Sequence, residues 1–551
     1  MSKKITLSFL FTALALSVNA QEQVDIDNVL RYGNYDVAKK YYYDILKADP
    51  VNGQHYYDLG RIHLAQNQND SAEIYFKEGL RAKINTNNNN LGIAKLSLDN
   101  GSEKEALSKF NTILALNKKN TDQLQRDIAN IYIYSKNPNP EKGIEFAKLA
   151  QKTNPKNLMS ILIEGDAYLA DGSKKLAEQK YKEVLKKDSK SIEARLRLAQ
   201  IYKMENTFDK AIELYNEAIA IDPEFPAVYR DLALLYKDYA GFSNNRALVK
   251  NAVENYHKFY ELVGPSFDID NQYADFLVKV KDYETLTNLI QDTWITRGDN
   301  FEVYRYASIA AFEQGSTDNA YMFINKYFEV QDNPTKITAV DYFYLGISEV
   351  VKSVAGKEVN EGLFNKGLQN MDKGIALDAS LADDIYKKAF SLFQNEKFKE
   401  AYYVFDLGTK NENTKDYVSN QYYKGTALYM TQDNPIVANP LEKAITAFDE
   451  AIRVSPSAHE AYLMNARAHR NLGTDSARNN MAKNYEGFVN AVQSKGLLNE
   501  KSLESALLEA YMQLGDYYKA NDKQKAITYF EKALQINPNH DYSKNSLSQL
   551  Q

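Results

Sequence analysis

The side chains best suited to catalysis or metal binding are few, and their spacing fits neither use. The chain has six histidines, and no two of them have the HExxH spacing that puts two zinc ligands on one helical face. His63 falls within a helical apolar pattern and is predicted to pack in the core. His459 and His469 flank one predicted helix and are too far apart for a single metal. The sequence also lacks a glycine-rich phosphate loop and a GxSxG nucleophile elbow.

The acidic residues give no clearer catalytic pattern. Asp383-Asp384 and the Asp25/Asp27 pair lack the spacing and the glycine of a calcium loop, and both suit helix N-termini, where carboxylates are stabilised by the helix dipole. Two carboxylates for glycoside cleavage stay possible in a helical protein, but nothing selects such a pair. Trp294 is the only tryptophan and is predicted to pack in the core. We therefore predict no catalytic residue, no metal site, no cofactor and no enzymatic activity.

Composition narrows the class of protein. The chain has 551 residues, a net charge of −6 and no cysteine. The absence of cysteine excludes disulfides, thiolate metal sites and a lipid anchor on cysteine. A mildly acidic chain argues against nucleic acid as a partner, because phosphate binding needs a basic surface. With only 24 glycines and 12 prolines, the composition favours helices.

The N-terminus has the layout of a secretory signal peptide. Lys3-Lys4 precedes the apolar run Ile5–Val18, and Val18-Asn19-Ala20 forms a small-x-small cleavage site. The apolar run is shorter than the roughly 18–20 residues that span a bilayer, so a membrane anchor is disfavoured. Residues 1–20 are therefore predicted to be removed. The remaining chain, which has no other apolar stretch of that kind, is predicted to be periplasmic.

Helices must position the histidine and acidic side chains considered above. The clearest helical pattern in the sequence is Ser191–Phe225. It contains two helical apolar patterns separated by a short polar turn. Its marker residues are Leu198-Ala199, Tyr202, Ala211, Tyr215, Ala218 and Pro223. The stretch resembles one tetratricopeptide repeat (TPR), whose consensus has a large–small pair in helix A, small and aromatic residues in helix B, and a closing proline.

Related patterns recur at intervals of about 34 residues along nearly the whole chain. The resemblance implies an all-α fold, a right-handed α-solenoid of about thirteen or fourteen TPR-like helix pairs. Residues 21–264 are predicted to form an N-terminal array, and 301–551 a C-terminal array that ends in a capping helix. The pattern is degenerate over residues 265–300, which are predicted to be either a diverged repeat or a hinge.

The resemblance also implies a binding surface, because the first helices of TPR pairs line a concave groove that commonly holds a peptide segment. Exposed aromatic residues and arginine dominate binding energy at such surfaces. The groove positions predicted for this chain are Tyr57, Arg61, Lys95, Arg126, Asn130, Arg230, Phe343, Tyr386, Phe390, Phe393, Tyr422, Tyr429, Arg467 and Arg470.

The predicted function is a non-enzymatic periplasmic scaffold that binds protein partners in this groove. By its similarity to envelope TPR proteins of Bacteroidota, it would serve an outer-membrane assembly, secretion or gliding-type machinery, and would be peripheral to the outer membrane through a partner. One alternative is a glycan-binding component of nutrient uptake, although such proteins usually carry a lipidated cysteine. The other is the helical array of a peptidoglycan-active protein, although repeats extend to the last residues.

Overall fold

The computed structural model describes residues 25–291, 301–331 and 336–551. Over these residues the chain is built from α-helices, two short 3₁₀ helices and an isolated parallel bridge between Asn52 and Ile84. Among the described helices, none is both long and apolar enough to cross a membrane. Two sequence predictions lie outside the described residues, namely the signal peptide and the packing of Trp294.

The helices form two compact units, one ending at Leu286 (unit 1) and the other starting at Thr287 (unit 2). The helices of unit 1 are α1 (Ile26–Tyr32), α2 (Tyr35–Ala48), α3 (Gly53–Ala65), α4 (Asn69–Arg81), α5 (Asn89–Asp99), α6 (Glu103–Leu116), α7 (Thr121–Tyr134), α8 (Pro140–Thr153), α9 (Met159–Ala170), α10 (Lys174–Lys187), α11 (Ile192–Met204), α12 (Phe208–Ile221), α13 (Pro226–Ser243), α14 (Ala247–Val263) and α15 (Phe267–Val280). The boundaries predicted from the sequence, and the hinge, stay predictions.

Helix α16 (Tyr283–Leu289) spans the division between the units. The helices of unit 2 that follow are α17 (Val303–Glu313), α18 (Thr317–Val330), α19 (Ala339–Val354), α20 (Glu361–Leu377), α21 (Ile385–Gln394), α22 (Phe398–Gly408), α23 (Tyr417–Met430), α24 (Pro440–Val454), α25 (His459–Leu472), α26 (Asp475–Ser494), α27 (Glu504–Tyr518), α28 (Lys523–Ile536) and α29 (Asp541–Leu550).

Within each unit, nearly all successive helices pack on one another, and each pair packs on the next. Counted from α1, the described helices make fourteen pairs followed by α29, which confirms the predicted all-α array of TPR-like pairs. The last helix packs on α28. Because each pair buries only part of its apolar surface, its neighbours on both sides complete the core.

The pair α11–α12 shows why these residues fold this way. Ser191 caps α11, since its hydroxyl accepts a hydrogen bond from the backbone N–H of Ala194. Ala199 and Ala211 are fully buried, and their small side chains let the two helices approach closely. Tyr215 fills the remaining space in the core. After α12, Pro223 lacks a backbone donor and cannot continue the helix.

Glycine allows a similarly close approach in the second and third pairs. Phe76 on α4 is fully buried. A Cβ atom added to Gly60 on α3 or to Gly92 on α5 would lie 2.3 or 2.4 Å from the Phe76 ring, so both positions require glycine. One aromatic ring therefore joins three helices. His63, predicted to pack, is buried and stacks on Tyr75 with 5.0 Å between ring centroids.

Candidate partner-binding face

Helix α1 crosses the first helices of several pairs in unit 1. At its start, Arg61 of α3 donates a hydrogen bond to the Asp27 carboxylate at 2.8 Å. At its end, Arg31 pairs with Glu193 of α11 at 2.7 Å, and Arg230 of α13 donates to the Arg31 carbonyl at 2.6 Å. A single seven-residue helix therefore contacts the second, sixth and seventh pairs. We call the surface of the first helices that faces α1 the inner face of unit 1.

The residues that follow Arg31 fix α1 further. The Tyr32 ring packs edge-on against Phe259 of α14, with ring centroids 5.9 Å apart. Gln272 of α15 donates its side-chain amide to the carbonyls of Tyr32 and Gly33 at 3.1 and 3.2 Å. Gly33 ends α1 with φ +77°, a conformation that favours glycine, and a Cβ there would lie 2.7 Å from the Gln272 amide nitrogen. An isolated helix of seven residues is unstable in water, so these contacts hold α1 in place.

A cavity of about 390 Å³ lies between α1 and the first helices of pairs two to four. Four predicted groove residues line it: Tyr57 and Arg61 from α3, Lys95 from α5 and Asn130 from α7. The side chains of these residues lie together although they come from three successive repeats. We call this space the N-terminal cavity.

Two of the carboxylates that line the N-terminal cavity are poorly solvated. Burial raises the pKa of Asp58 to about 6, against the opposing charge of Arg61. Burial likewise raises the pKa of Asp127 to about 6, opposed by Arg61 and Arg126. Burial also raises the pKa of Tyr57 well above its usual value. The ordinary pKa of an aspartate is near 4, so burial disfavours the charged form of both carboxylates. Asp58 is partly compensated by hydrogen bonds from Gln54 at 2.9 Å and Tyr42 at 3.3 Å.

The other two predicted residues of unit 1 lie apart from this cavity. Arg126 turns back along its own helix and pairs with Asp122 at 2.7 Å. Arg230 lines a smaller pocket of about 230 Å³ at the other end of α1, together with Arg31 and Glu193. Arg230 is therefore engaged by the chain's own N-terminal helix.

A polar network that the sequence did not suggest extends this inner face. Arg197 of α11 donates to Asp166 of α9 at 2.9 and 3.1 Å, and pairs with Glu193 of its own helix at 2.8 Å. The buried Tyr181 hydroxyl donates to the same Asp166 at 2.8 Å. Although burial opposes it, the charges of Arg197 and Arg31 lower the pKa of Glu193. The network ties α1 to the fifth and sixth pairs.

The predicted residues of unit 2 occupy several environments, and one of them must be corrected. Phe343 is only 1% exposed, so its side chain lies in the core and not on a groove. All residues from 343 to 350 are buried, because α19 packs against α17, α18 and α20. Gly374 of α20 allows this approach, since a Cβ there would lie 3.2 Å from the Phe343 Cβ.

The remaining aromatic residues are half-buried and pack on one another. The Tyr386 and Phe390 rings stack with 5.6 Å between centroids. Phe393 packs edge-on against Tyr423 of α23 at 5.2 Å. Of the two aromatic residues predicted on α23, Tyr422 contacts the buried Phe448 ring at 6.1 Å, and the Tyr429 hydroxyl accepts a hydrogen bond from Asn471. Each therefore has a packing role, and a role in binding stays a prediction.

Arg467 and Arg470 both pair with a single carboxylate, Glu509 of α27. Arg467 approaches it at 2.6 Å and Arg470 at 3.0 Å, and the Tyr485 hydroxyl donates to it at 2.8 Å. Although burial opposes it, these donors lower the pKa of Glu509. The two arginines thus connect α25 to α27, and the partner-binding role predicted for them stays a prediction.

Three segments of the chain match models of the tetratricopeptide repeat: residues 27–85, 168–235 and 509–540. The chain is a tetratricopeptide repeat protein. The matched segments include α1 and α3 of the N-terminal cavity and α11 of the inner face. The TPR assignment therefore covers elements from which the candidate site is built.

Several solved structures resemble the chain at low identity. The C-terminal part of a TPR repeat-containing protein from Cytophaga hutchinsonii is 20% identical, covering 50% of this chain and 98% of its own length with a TM-score of 0.35. MamA is 21% identical over 31% of this chain and 94% of its own, with a TM-score of 0.23. Human IFIT1 is 14% identical over 93% of this chain and 95% of its own, with a TM-score of 0.30. These scores support no argument about function.

Proposed function

We propose that this TPR protein is an exported, non-enzymatic scaffold of the periplasm. It binds a protein partner on the inner face of unit 1 and serves an outer-membrane assembly, secretion or gliding-type machinery. Through that partner it is peripheral to the outer membrane.

One observation carries the binding part of this proposal. Tyr57, Arg61, Lys95 and Asn130, selected as groove positions in three successive repeats, line the same cavity. A cavity of about 390 Å³ is within the range of roughly 300–1,000 Å³ usual for ligand sites. TPR arrays are generally interaction modules, and an aromatic ring beside an arginine is a combination that favours protein recognition.

Support for export comes from the sequence, namely the basic, apolar and small-residue segments of Met1–Ala20. The choice of machinery rests on similarity to envelope TPR proteins. Both are tested in the native cell. A C-terminally tagged chain should appear in the periplasmic fraction with a mature N-terminus at Gln21. A cytoplasmic chain that retains Met1 would refute export.

The binding proposal is tested by affinity purification from envelope extract, followed by mass spectrometry. Asn130→Trp fills the N-terminal cavity and should abolish capture of the partner. The matched control is Glu105→Trp, which introduces the same side chain at an exposed position on α6. This variant should capture the partner as the wild type does. If the Asn130 variant folds and captures the same partner equally well, the inner face is not the binding surface.

A further inference from the structure

We propose that the N-terminal cavity receives a basic side chain of the partner, a lysine or an arginine, whose cation faces Asp127. This inference rests on the proposed function and specifies the chemistry of the partner segment that enters the site.

The charges of the cavity wall argue for a cation. Three carboxylates line the cavity, and its two cations are already paired. Arg61 is bound by Asp27 at 2.8 Å and lies 4.0 Å from Asp58. The Lys95 amine is held at 2.8 Å by Asp99, whose side chain is only 3% exposed. Neither cation is therefore available to an acidic ligand.

Of the three carboxylates that line the cavity, Asp127 is the one to which no partner is assigned. Within the described part of the chain, it makes no hydrogen bond and no ion pair. Its neighbour Arg126 is committed to Asp122 on the preceding turn of α7. A half-buried carboxylate has lost part of its hydration, and an incoming cation at hydrogen-bond distance would replace it. The raised pKa of Asp127, about 6, is consistent with this unmet need.

The cavity also has room and polar groups for the backbone beside such a side chain. Asn130 lies three residues after Asp127 on α7, so both side chains project from the same face of the helix. Its amide offers a donor and an acceptor to an extended peptide. Asn88 and Gln54 also line the cavity. The Asn88 amide donates to the Gln54 side-chain oxygen at 2.9 Å, and the Gln54 amide donates to Asp58 at 2.9 Å. An aspartate or glutamate would instead meet like charge and is disfavoured.

The test uses the full-length mature chain and two fluorescein-labelled peptides, hexaarginine and hexaglutamate, with binding followed by fluorescence polarisation at low salt. Hexaarginine should bind the wild type, and Asp127→Asn should weaken it by at least about tenfold, the effect typical of losing a hydrogen bond to a charged group. Asp44→Asn is the matched control, because it removes the same charge from an exposed residue that pairs with Lys47 of its own helix. The control should change the affinity by less than about twofold.

Equal affinity of hexaarginine for the Asp127 and Asp44 variants would overturn the inference, because the net acidity of the chain would then explain the binding. Tighter binding of hexaglutamate would overturn it as well. The Asn130→Trp variant keeps the Asp127 charge but fills the space, and it should also lose hexaarginine. If Asn130→Trp abolishes partner capture while Asp127→Asn leaves the affinity for hexaarginine unchanged, the scaffold proposal stands and this inference fails. If hexaarginine depends on Asp127 and no partner is captured, the scaffold fails instead.

Discussion

Tyr32→Ala should release helix α1 from the inner face of unit 1. The Tyr32 side chain is 7% exposed and packs edge-on against Phe259. Truncation of a buried aromatic residue costs about 3–5 kcal/mol, and we use the lower end because Tyr32 belongs to a helix of only seven residues. A free-energy change of 1.4 kcal/mol is tenfold in an equilibrium. The opening equilibrium of α1 should therefore rise at least about a hundredfold.

Hydrogen exchange with mass spectrometry measures this opening directly. In the wild type, the amides of residues 26–33 should be protected by the contacts that hold α1 in place, since a helix this short has little stability of its own. In Tyr32→Ala they should exchange about a hundredfold faster or more, while those of 192–204 in α11 keep most of their protection.

The matched control is Tyr43→Ala, which removes a more exposed tyrosine from α2 whose ring packs near His63 and Tyr75. It should leave the exchange of residues 26–33 unchanged. The reasoning is wrong if residues 26–33 of the wild type exchange at unprotected rates. It is also wrong if both tyrosine variants speed that exchange equally.

Three further predictions concern stability and pH. Arg305→Met should destabilise unit 2 by about 3–5 kcal/mol in chemical denaturation, because it leaves the fully buried carboxylate of Asp341 without its two-point partner at 2.6 Å; a loss below 1 kcal/mol would contradict this. Asp58→Asn removes a carboxylate whose folded pKa of about 6, raised by burial against Arg61, exceeds its unfolded value. Proton binding by that carboxylate therefore favours the folded wild type at low pH and is lost as pH rises from about 4 to 6. The variant should gain up to about 3 kcal/mol relative to the wild type over that interval, and melts that run parallel at both pH values would refute this. Glu509→Gln should cost unit 2 about 1.5–3 kcal/mol, since it removes the charged acceptor that two arginines share; unchanged urea unfolding would argue against it.

The helix pairs could be predicted from the sequence because their determinants are local and repeated. Ala199, Ala211 and Tyr215 have the same spacing as their counterparts in other pairs, and small or aromatic residues at such positions have one clear use. The cavity residues Tyr57 and Asn130 followed from the same register. The register of the repeat therefore also predicted residues that line one cavity together.

The missed features depend on contacts that have no repeat. Arg31 and Glu193 are 162 residues apart, and α1 is too short to show a periodic pattern. Phe343 was placed on a groove because its distance from Leu345-Gly346 fits that register, yet three neighbouring helices cover it. The pairing of Arg467 with Glu509, 42 residues later, likewise depends on how two repeats meet.

Photo-cross-linking in the native cell tests the central claim most directly. A benzophenone amino acid at Gln123, an exposed residue at the edge of the N-terminal cavity, should give an adduct with one protein partner, attached through a lysine- or arginine-containing segment. The same amino acid at Phe242, which is 66% exposed on α13, should give none. Adducts from Phe242 alone, or none from either position, would contradict the claim that unit 1 binds a protein on its inner face.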